Sequence, residues 1–334
     1  MRVTVLLAAY EGERYIEQQL DSILAQTVPD IQIVISDDGS KDKTRRILEQ
    51  YARWYPGQIV LRHRVKEGMY MDREGQVPPM AMNFFWLLGQ ADGDYLLLCD
   101  QDDVWKNHKV RTLLRRTREL EEQFGREHPI LVHSDMEVTD EDLNVISPSF
   151  FRYQRSNPDR TAFSQVLAEN PVTGGAVMMN RALAGLVRRV PGRCLMHDWW
   201  IALGASCFGT ISCIREPLYQ YRQHGGNTLG ASRTGSVEDL KARMGRQTAV
   251  EENYRRMFGQ AASFGAMYGE KMTGEQRRTL KAFLALPLQS REERLRSIVR
   301  NRFFKSSPIQ TLAQCVTIPR LSRKRGENGG RSVV

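Results

Sequence analysis

Hydrophobic residues in the first hundred positions fall into short continuous runs separated by segments of helical periodicity. The continuous runs predict strands at residues 3–9, 31–36, 59–63 and 94–99. Apolar side chains that recur every three or four residues predict helices at residues 12–24, 43–54 and 80–91, and Pro29 lies just beyond the first of them. Strands that alternate with helices, and that are apolar on both faces, are typical of a mostly parallel sheet covered on two sides.

The pattern changes in the second half of the chain. A charged helix is predicted at residues 106–123 and a fifth strand at 129–133, whereas the following hundred residues are less regular. Two helices are predicted within that irregular region, at residues 180–190 and 197–207. After Gly235 the chain is helical and rich in arginine, and glycines cluster just before it. The predicted division is an α/β domain at residues 1–235 and a helical extension at residues 236–334.

The net charge of +9 is concentrated in the helical extension. Residues 1–235 contain 28 Lys/Arg against 30 Asp/Glu, whereas residues 236–334 contain 20 against 9. A basic tail on a neutral body fits an anionic partner surface, either a membrane or a nucleic acid. It equally fits the solvated faces of ordinary surface helices.

One segment of the extension, residues 288–305, has the pattern of an amphipathic basic helix. Its apolar positions are Leu288, Leu295, Ile298, Val299 and Phe303. Arginines occupy most of the positions around them. Such a helix can lie in a membrane interface or can pack its apolar stripe on the body, and the sequence is compatible with both.

Cysteine usage and hydropathy determine the expected compartment. The five cysteines form no CxxC pair, which favours buried thiols in a reducing cytosol over disulfides or a thiolate zinc site. No stretch reaches the ~20 apolar residues of a membrane span, and the N-terminal apolar run has no signal-peptide cleavage region. We expect a cytoplasmic protein that is soluble or peripheral on the inner face of the cell membrane.

Polar clusters follow three of the predicted strands at the point where each strand ends. They are Tyr10-Glu11, Asp37-Asp38 and Asp100-Gln101-Asp102-Asp103. In open α/β sheets, ligands bind beyond the carboxyl ends of the strands. Although Asp often caps the helix that follows a strand, three clusters at neighbouring strand ends predict one shared ligand site.

The run from Asp100 to Asp103 indicates a divalent cation. Neighbouring carboxylates repel one another unless a cation lies between them. Mg2+ and Mn2+ prefer oxygen ligands, and they commonly bind through one or two carboxylates together with substrate phosphates. An acidic helix N-terminus would account for Asp103 through the helix dipole, but not for the whole run. The sequence therefore predicts a site for Mg2+ or Mn2+ and a diphosphate.

Six motifs in this order resemble family 2 glycosyltransferases. They are AAYEGERYIEQQLDSILAQT, ISDDGSKDKT, LLLCDQDDVW, VTGGAVMMNR, MHDWWIAL and YRQHGGNTLG. The motifs span roughly residues 1–230, and DQDDVW, HDWW and HGGN look most like the bacterial rhamnosyltransferase branch. The resemblance implies a GT-A, Rossmann-like nucleotide-diphospho-sugar transferase fold with a mostly parallel central sheet.

The resemblance also implies roles for the residues of the early motifs. Donor-binding residues would be Ala9, Tyr10, Glu11, Asp37, Asp38, Asp100 and Gln101, with the first three lining the nucleobase pocket. Asp37 or Asp38 would bond the base and the ribose, and Asp102 would bind the metal that bridges the donor diphosphate. His224 would lie near the diphosphate, and its Gly-rich turn is compatible with a third metal ligand or with a surface loop histidine.

The later motifs would supply the acceptor side of the site. Asp198 matches the acid of the family's ED-type motif, the general base, although His197 stands where many members have Glu. Acceptor-binding residues would be Thr173, Gly174, Trp199 and Trp200. One tryptophan would face the sugar and the other the core. Because Asp is a favoured N-cap, Asp198 is also compatible with capping the helix that follows it.

These residues suit an inverting transfer. Direct displacement at an anomeric carbon needs a base for the proton of the acceptor hydroxyl, a role that a carboxylate can fill at ~3 Å. It also needs an electrophile for the departing diphosphate, which a divalent cation supplies. No second motif offers the nucleophile that a retaining double displacement requires.

The sugar itself is implied only by the resemblance. The rhamnosyltransferase branch implies transfer of L-rhamnose from dTDP-L-rhamnose to a glycan or lipid-linked glycan in cell-envelope polysaccharide biosynthesis. Nearby branches use UDP-hexoses. Peripheral membrane contact through the basic tail would suit a lipid-linked acceptor.

Three other classes of protein explain less of the sequence. DQDDV after a buried strand matches the D-x-D-x-[TV] pattern of haloacid-dehalogenase-type phosphatases, but that pattern normally follows the first strand. It also leaves Asp37-Asp38 and HDWW unexplained. No GxGxxG follows the first strand, which argues against a dinucleotide oxidoreductase. Without a metal, the acidic motifs would repel nucleic-acid phosphates, which argues against a nucleic-acid binder.

Overall fold

A computed structural model describes residues 1–64, 76–225 and 247–319. Within these residues the chain forms one sheet of nine strands with helices on both faces. The strands are β1 (Val3–Ala9), β2 (Ile31–Asp37), β3 (Ile59–Arg62), β4 (Tyr95–Cys99), β5 (Val104–Trp105), β6 (Ile130–Thr139), β7 (Val145–Ser147), β8 (Val177–Asn180) and β9 (Thr210–Arg222). Their order in space is β3-β2-β1-β4-β8-β6-β9-β5, and β7 pairs with β6.

Six of the nine described strands run in one direction. β1 pairs in parallel with β2 and β4, β2 with β3, and β6 with β9. β8 runs antiparallel between β4 and β6, and β5 and β7 also pair antiparallel. The mostly parallel α/β sheet expected from the sequence is therefore confirmed, with one reversed strand at its centre.

Eight described helices belong to the α/β body and four to the C-terminal extension. The first group is α1 (Ile16–Leu24), α2 (Thr44–Trp54), α3 (Pro79–Gln90), α4 (Lys109–Phe124), α5 (Phe150–Gln154), α6 (Phe163–Ala168), α7 (Arg181–Val187) and α8 (His197–Phe208). The second group is α9 (Gln247–Tyr268), α10 (Gly274–Ala285), α11 (Arg291–Asn301) and α12 (Pro308–Thr317). The helices predicted from periodicity are all present, with shifts at their ends.

The ends of β1, β2 and β4 meet at one edge of the sheet. Ala9 lies opposite Asp37 in the register of β1 and β2, and Leu7 lies opposite Cys99 in that of β1 and β4. Because these strands are parallel, the polar clusters that follow them lie side by side, as predicted. The acid run that begins at Asp100 follows the fourth strand, not the first as the haloacid-dehalogenase alternative would require.

Two apolar cores enclose the sheet. Val5 and Leu7 of β1 contribute to the core beneath α1, α2 and α4, whereas Leu6 contributes to the core beneath α3 and α8. Neighbouring residues of a strand point to opposite faces, so a strand covered on both sides is mostly apolar along its whole length. This arrangement explains the continuous apolar runs in the sequence.

The C-terminal helices complete the second core and do not form a separate one. Trp200 of α8 packs against Phe264 and Tyr268 of α9, with ring centroids 5.3 and 6.1 Å apart. Phe283 of α10 and Phe303 beyond α11 are fully buried in the same core. The predicted domain boundary at residue 235 lies outside the described residues.

The segment 288–305 uses only part of its apolar stripe for packing. Ile298 and Phe303 are buried against the body, whereas Leu288, Leu295 and Val299 are exposed. The extension therefore docks on the body and still presents an outward apolar surface. Among the described helices, none is long and apolar enough to cross a membrane.

Candidate active site

Gln101 joins the ends of β1 and β4. Its side-chain oxygen accepts a hydrogen bond from the Tyr10 N–H, and its side-chain nitrogen donates to the Tyr10 carbonyl, both at 2.8 Å. A Cβ at Gly12 would lie 2.3 Å from Oε1 of Gln101, so any larger residue there would displace the Gln101 side chain. The Tyr10 side chain is exposed. Two predicted donor-binding residues are thus joined by a pair of hydrogen bonds.

Hydrogen bonds also hold together the ends of β1 and β2. Ala9 is buried, and its carbonyl accepts from the Asp38 N–H at 2.8 Å. Glu11 has a φ of 49° and donates its N–H to the Ser40 hydroxyl at 2.8 Å. The Ser40 hydroxyl in turn donates to the Asp37 carboxylate. The predicted nucleobase residues therefore form one connected loop.

Asp38 forms an ion pair with Arg64, which lies just beyond β3. The distance from the guanidinium Nη2 to the carboxylate Oδ1 is 2.5 Å, and the Arg64 side chain is only 1% exposed. A buried guanidinium is retained when it is paired and hydrogen-bonded. Arg64 therefore fixes the orientation of Asp38 at the edge of the sheet.

The acid run after β4 lies at the centre of the site. Burial raises the pKa of Asp100, and the charges of Asp102 and Asp198 raise it further. Burial and the charges of Asp102 and Asp100 also raise the pKa of Asp103. Oδ2 of Asp103 is buried without a hydrogen-bond partner among the described residues. Carboxylates that face one another with too few donors attract a cation.

Lys109, the first residue of α4, is a buried cation beneath these acids. Its ammonium donates to the Gly175 carbonyl at 2.6 Å and lies 3.7 and 4.0 Å from the ring centroids of Trp105 and Tyr219. Burial lowers the pKa of Lys109, and the neighbouring acids oppose this shift. One ammonium cannot balance several carboxylates, so the centre of the site keeps a negative charge when its acids are ionised.

Asp102 and His224, the two predicted metal ligands, are adjacent. The distance from Nε2 of His224 to Oδ2 of Asp102 is 2.8 Å, and each side chain is 15% exposed. Arg222 positions this pair, because its Nε donates to the Asp102 carbonyl at 2.8 Å and its N–H donates to Asp103 Oδ1 at 3.2 Å. The Tyr15 ring contacts both His224 and the Arg222 guanidinium.

The donor atoms of the site fit Mg2+ or Mn2+ bound together with a diphosphate. The described part of the chain contains no group of three or more His, Cys, Asp or Glu side chains that could hold a metal alone. Asp102 and His224 would supply two ligands, and the unpartnered oxygen of Asp103 lies nearby. Such a partial set suits an ion that is completed by substrate phosphates and water.

Asp198 lies in the first turn of α8, on the other side of the Gly174–Gly175 turn from Asp100. A Cβ on Gly174 would lie 3.8 Å from the Asp198 Cβ, and one on Gly175 would lie 3.3 Å from Asp100 Oδ2. Burial raises the pKa of Asp198 to about 7, although hydrogen bonds from the Trp199 and Gly174 N–H groups lower it. A carboxyl group with such a pKa can take up a proton near neutral pH, as a general base must.

The start of α8 corrects one interpretation of the MHDWW motif and shows the environment of His197. The N-cap residue is Met196, so the alternative role of Asp198 as the helix cap is wrong. His197 is buried and stacks on Phe84 with ring centroids 4.0 Å apart, and burial lowers its pKa to about 3. His197 is therefore a neutral packing residue and not a second acid–base group.

Only one of the two tryptophans can reach an acceptor. Trp200 is fully buried, so the prediction that it walls the acceptor site is wrong for this residue. Trp199 is partly exposed, and its indole N–H donates to a backbone carbonyl at 2.7 Å. Thr173 is also partly exposed, and its carbonyl accepts from the Ala176 N–H, which closes the turn that contains Gly174.

Three cations of the site were not identified from the sequence: Arg64, Lys109 and Arg222. Each one pairs with a carboxylate or binds the backbone beside it. Lys109 belongs to a strongly charged helix, where a lysine is usually solvated. Arg222 lies within the motif YRQHGGNTLG, and its place in this motif was the one sequence feature that could have identified it as a site residue.

The chain matches sugar-transferring enzymes in sequence. The model of glycosyl transferase family 2 matches residues 4–73. An uncharacterized glycosyltransferase of Nostoc sp. is 25% identical over 253 residues, which cover 73% of this chain and 72% of the relative. The dTDP-rhamnosyl transferase RfbG of Shigella flexneri is 35% identical over 111 residues, which cover 32% of this chain and 35% of the relative.

Solved structures share the fold. S. aureus TarS 1-349 is similar with a TM-score of 0.54 and 16% identity, covering 90% of this chain and 72% of that one. The mannosyltransferase PcManGT from Pyrobaculum calidifontis, in complex with GDP-Man and Mn2+, has a TM-score of 0.51 and 17% identity, covering 93% and 77%. The sequence matches and the fold together show a glycosyltransferase with the GT-A fold, whose residues 4–73 match glycosyl transferase family 2.

Proposed function

We propose that this glycosyltransferase transfers a sugar from a nucleotide-diphosphate donor to a hydroxyl of a glycan or lipid-linked glycan, with inversion at the anomeric carbon. The observation that carries the proposal is the position of Asp198 across the Gly174–Gly175 turn from the acid run. A donor whose diphosphate lies at the acid run would place its sugar at this turn. The acceptor hydroxyl would then lie between the anomeric carbon and Asp198.

Asp198 is the general base in this proposal. Its carboxylate accepts the proton of the acceptor hydroxyl while the hydroxyl oxygen attacks the anomeric carbon. The bond from that carbon to the diphosphate breaks in the same step, so the configuration inverts. A pKa of about 7, raised by burial, suits a base that works near neutral pH.

The strand ends bind the donor nucleotide. Asp38, fixed by Arg64, is positioned to bond the base or ribose, with Asp37 beside it. The exposed Tyr10 side chain offers a flat apolar surface for a nucleobase, and the Gln101 amide holds its backbone in place. The backbone N–H groups of Glu11 and Asp38 already donate hydrogen bonds that join the ends of β1 and β2.

Asp102 and His224 would hold Mg2+ or Mn2+. When bound, the cation would neutralise the negative charge of the departing diphosphate. Arg222 and Lys109 support this role from the protein side, because Arg222 fixes the loop at Asp102 and Lys109 offsets part of the charge beneath it. The presence of Mn2+ in PcManGT, which shares the fold, supports a divalent cation here.

We further propose that the donor is dTDP-L-rhamnose and that the product belongs to a cell-envelope polysaccharide. Support comes from the partial match to the rhamnosyl transferase RfbG and from the DQDDVW, HDWW and HGGN motifs. UDP-hexoses are the competing donors. The described contacts of Asp38 do not distinguish thymine from uracil, so the choice depends on these resemblances.

A panel of nucleotide sugars, titrated by calorimetry with Mn2+ present, tests the donor. We expect dTDP-L-rhamnose to bind more tightly than UDP-hexoses, and removal of Mn2+ to weaken its binding. Tighter binding of a UDP-hexose would overturn the rhamnose assignment alone. Proton NMR of the product tests the mechanism, since a β-linked donor should give an α-linked product. A β-linked product would overturn inversion.

A further inference from the structure

Helix α12 presents an apolar face to the exterior. Ile309, Leu312 and Val316 are 64%, 62% and 63% exposed, which places them among the most exposed large apolar side chains of the described residues. Their spacing of three and four residues puts them on one side of the helix. The opposite side packs inward, with Gln314 and Ile318 buried.

The whole of α12 is uncharged. No Asp, Glu, Lys or Arg occurs from Pro308 to Thr317. A surface helix of a soluble body normally has charged residues on its outward side. A helix that is apolar outward and uncharged throughout therefore indicates a surface that becomes covered.

Hydrogen bonds hold α12 in this orientation. The buried guanidinium of Arg294 donates to the carbonyls of Cys315 and Ile318 at 3.0 and 2.8 Å. The Gln314 amide donates to the Phe303 carbonyl at 2.9 Å. Polar contacts on the inner side of α12 therefore fix the helix with its apolar face outward.

The segments next to α12 in the sequence are basic. Apart from the buried Arg294, residues 291–305, which lead into α12, carry five Lys/Arg against two Asp/Glu. Arg296 and Arg300 are exposed on α11 beside the exposed Leu295 and Val299. The sequence after α12 continues as RLSRKR at residues 320–325, four of which are basic.

We propose that α12 docks on an anionic lipid surface, with Ile309, Leu312 and Val316 inserted among the lipids and the arginines of α11 at the head groups. Charge complementarity selects this occupant. A second copy of the chain, paired symmetrically through the same face, would bring two clusters of arginine together. An amphipathic helix with a basic surround is the usual element for binding in a membrane interface.

The docked helix is linked to the catalytic side of the fold. Ser306, two residues before α12, donates its N–H and its hydroxyl to the Glu169 carboxylate, both at 2.6 Å. The next residue, Asn170, hydrogen-bonds Asp198 through its side chain. If the proposed function holds, these contacts would connect a membrane-bound helix to the proposed base, which suits a lipid-linked acceptor. The lipid contact itself does not depend on that function.

Sedimentation with vesicles tests the contact. The full chain should bind vesicles of phosphatidylglycerol and phosphatidylcholine, and it should bind phosphatidylcholine alone much more weakly. The triple variant Ile309→Gln/Leu312→Gln/Val316→Gln should bind the anionic vesicles at least about tenfold more weakly, because three inserted side chains lose their apolar contact. The matched control is Val145→Gln/Ile146→Gln, which removes two exposed apolar residues of β7 and should bind as the wild type does.

A second pair of variants tests the charge. Arg296→Gln/Arg300→Gln should weaken anionic binding and make it less sensitive to salt, since exposed charges are screened over about 10 Å at 0.1 M. Arg111→Gln/Arg115→Gln, which removes two exposed arginines of α4, should leave binding unchanged. Unchanged melting temperature and donor affinity in all four variants show that the fold is intact.

Three outcomes overturn the proposal. The wild type ignores anionic vesicles at low salt, or the triple variant binds them as its control does. In the third outcome, analytical ultracentrifugation shows that the wild type is a dimer and the triple variant is a monomer, and neither protein binds vesicles. Each outcome is independent of the donor and of Asp198, so a failure here is distinguishable from a failure of the proposed function.

Discussion

Replacing Asp198 by Asn separates the chemistry of the site from its architecture. Asn keeps the size of the side chain, and its oxygen can still accept the hydrogen bond that the Trp199 N–H donates at 2.6 Å. It cannot take a proton from an acceptor hydroxyl. Loss of a general base typically lowers a rate by about 10²–10⁴-fold, so transfer should fall by that factor while donor affinity is retained.

The same substitution should stabilise the folded protein above neutral pH. Burial raises the pKa of Asp198 from 3.8 to about 7, so the ionised carboxylate costs stability increasingly as the pH rises from about 4 to about 7, and fully above that. At about 1.36 kcal/mol per pKa unit the full cost is about 4 kcal/mol. Because Asp198 is partly exposed, solvent reduces this cost, and we expect a gain of about 1–2 kcal/mol and a rise of a few degrees in Tm.

Transfer rates and melting curves from pH 5 to pH 8 test both parts. The wild-type rate should fall below about pH 7, as Asp198 takes up a proton. The Tm gain of Asp198→Asn should be present at pH 8 and small at pH 5. Asp135→Asn is the matched control, since Asp135 is also buried but accepts hydrogen bonds from Ser149 and from the N–H of Phe150. This control should lower Tm and leave the pH profile of transfer unchanged.

Two results would refute the reasoning. Near-normal transfer by Asp198→Asn would mean that another group takes the proton. A lower Tm of this variant at pH 8 would mean that the hydrogen bonds of the carboxylate outweigh the cost of burying its charge.

Three further substitutions test the rest of the site. Asp102→Ala should abolish the Mn2+ dependence of donor binding in calorimetry and reduce turnover strongly, and full activity of this variant in a chelator would contradict a metal role. Lys109→Met should destabilise the fold at neutral pH by about 3 kcal/mol in denaturant titrations, because the Gly175 carbonyl loses its donor and the nearby carboxylates lose a compensating charge. The loss should be smaller at pH 5, where Asp100, whose pKa is raised to about 7, is protonated. Gly12→Ala should raise the KM for the donor several-fold, since its Cβ would displace Gln101. An unchanged KM would show that this contact is not needed.

The sequence was sufficient to predict the strands and helices that are long and have a simple hydrophobic pattern. β1, β2 and β4 are mostly apolar because both of their faces are covered, and their parallel pairing brings the acidic clusters together as predicted. β9 was not predicted. Its burial alternates irregularly, and its register against β6 shifts near Pro217, so no period of two extends over its length.

Side-chain environment was less accessible to prediction than backbone. Lys109 and Arg222 are charged residues in polar segments, and their burial depends on contacts with strands that lie far away in the sequence. Trp199 and Trp200 are neighbours in one motif, but only the geometry of α8 decides which one is buried. In the extension, Ile298 and Val299 are adjacent in the apolar stripe, yet one is buried and the other is exposed.

The packing of Trp200 on α9 has a consequence for synthesis of the chain. Phe264 and Tyr268 cover the inner face of the helix that carries Asp198. Both residues are synthesised more than sixty residues after Trp200. While the nascent chain still lacks these residues, the indole is without its partners and α8 lacks part of its support. The second apolar core therefore remains incomplete until the residues of α9 have been synthesised.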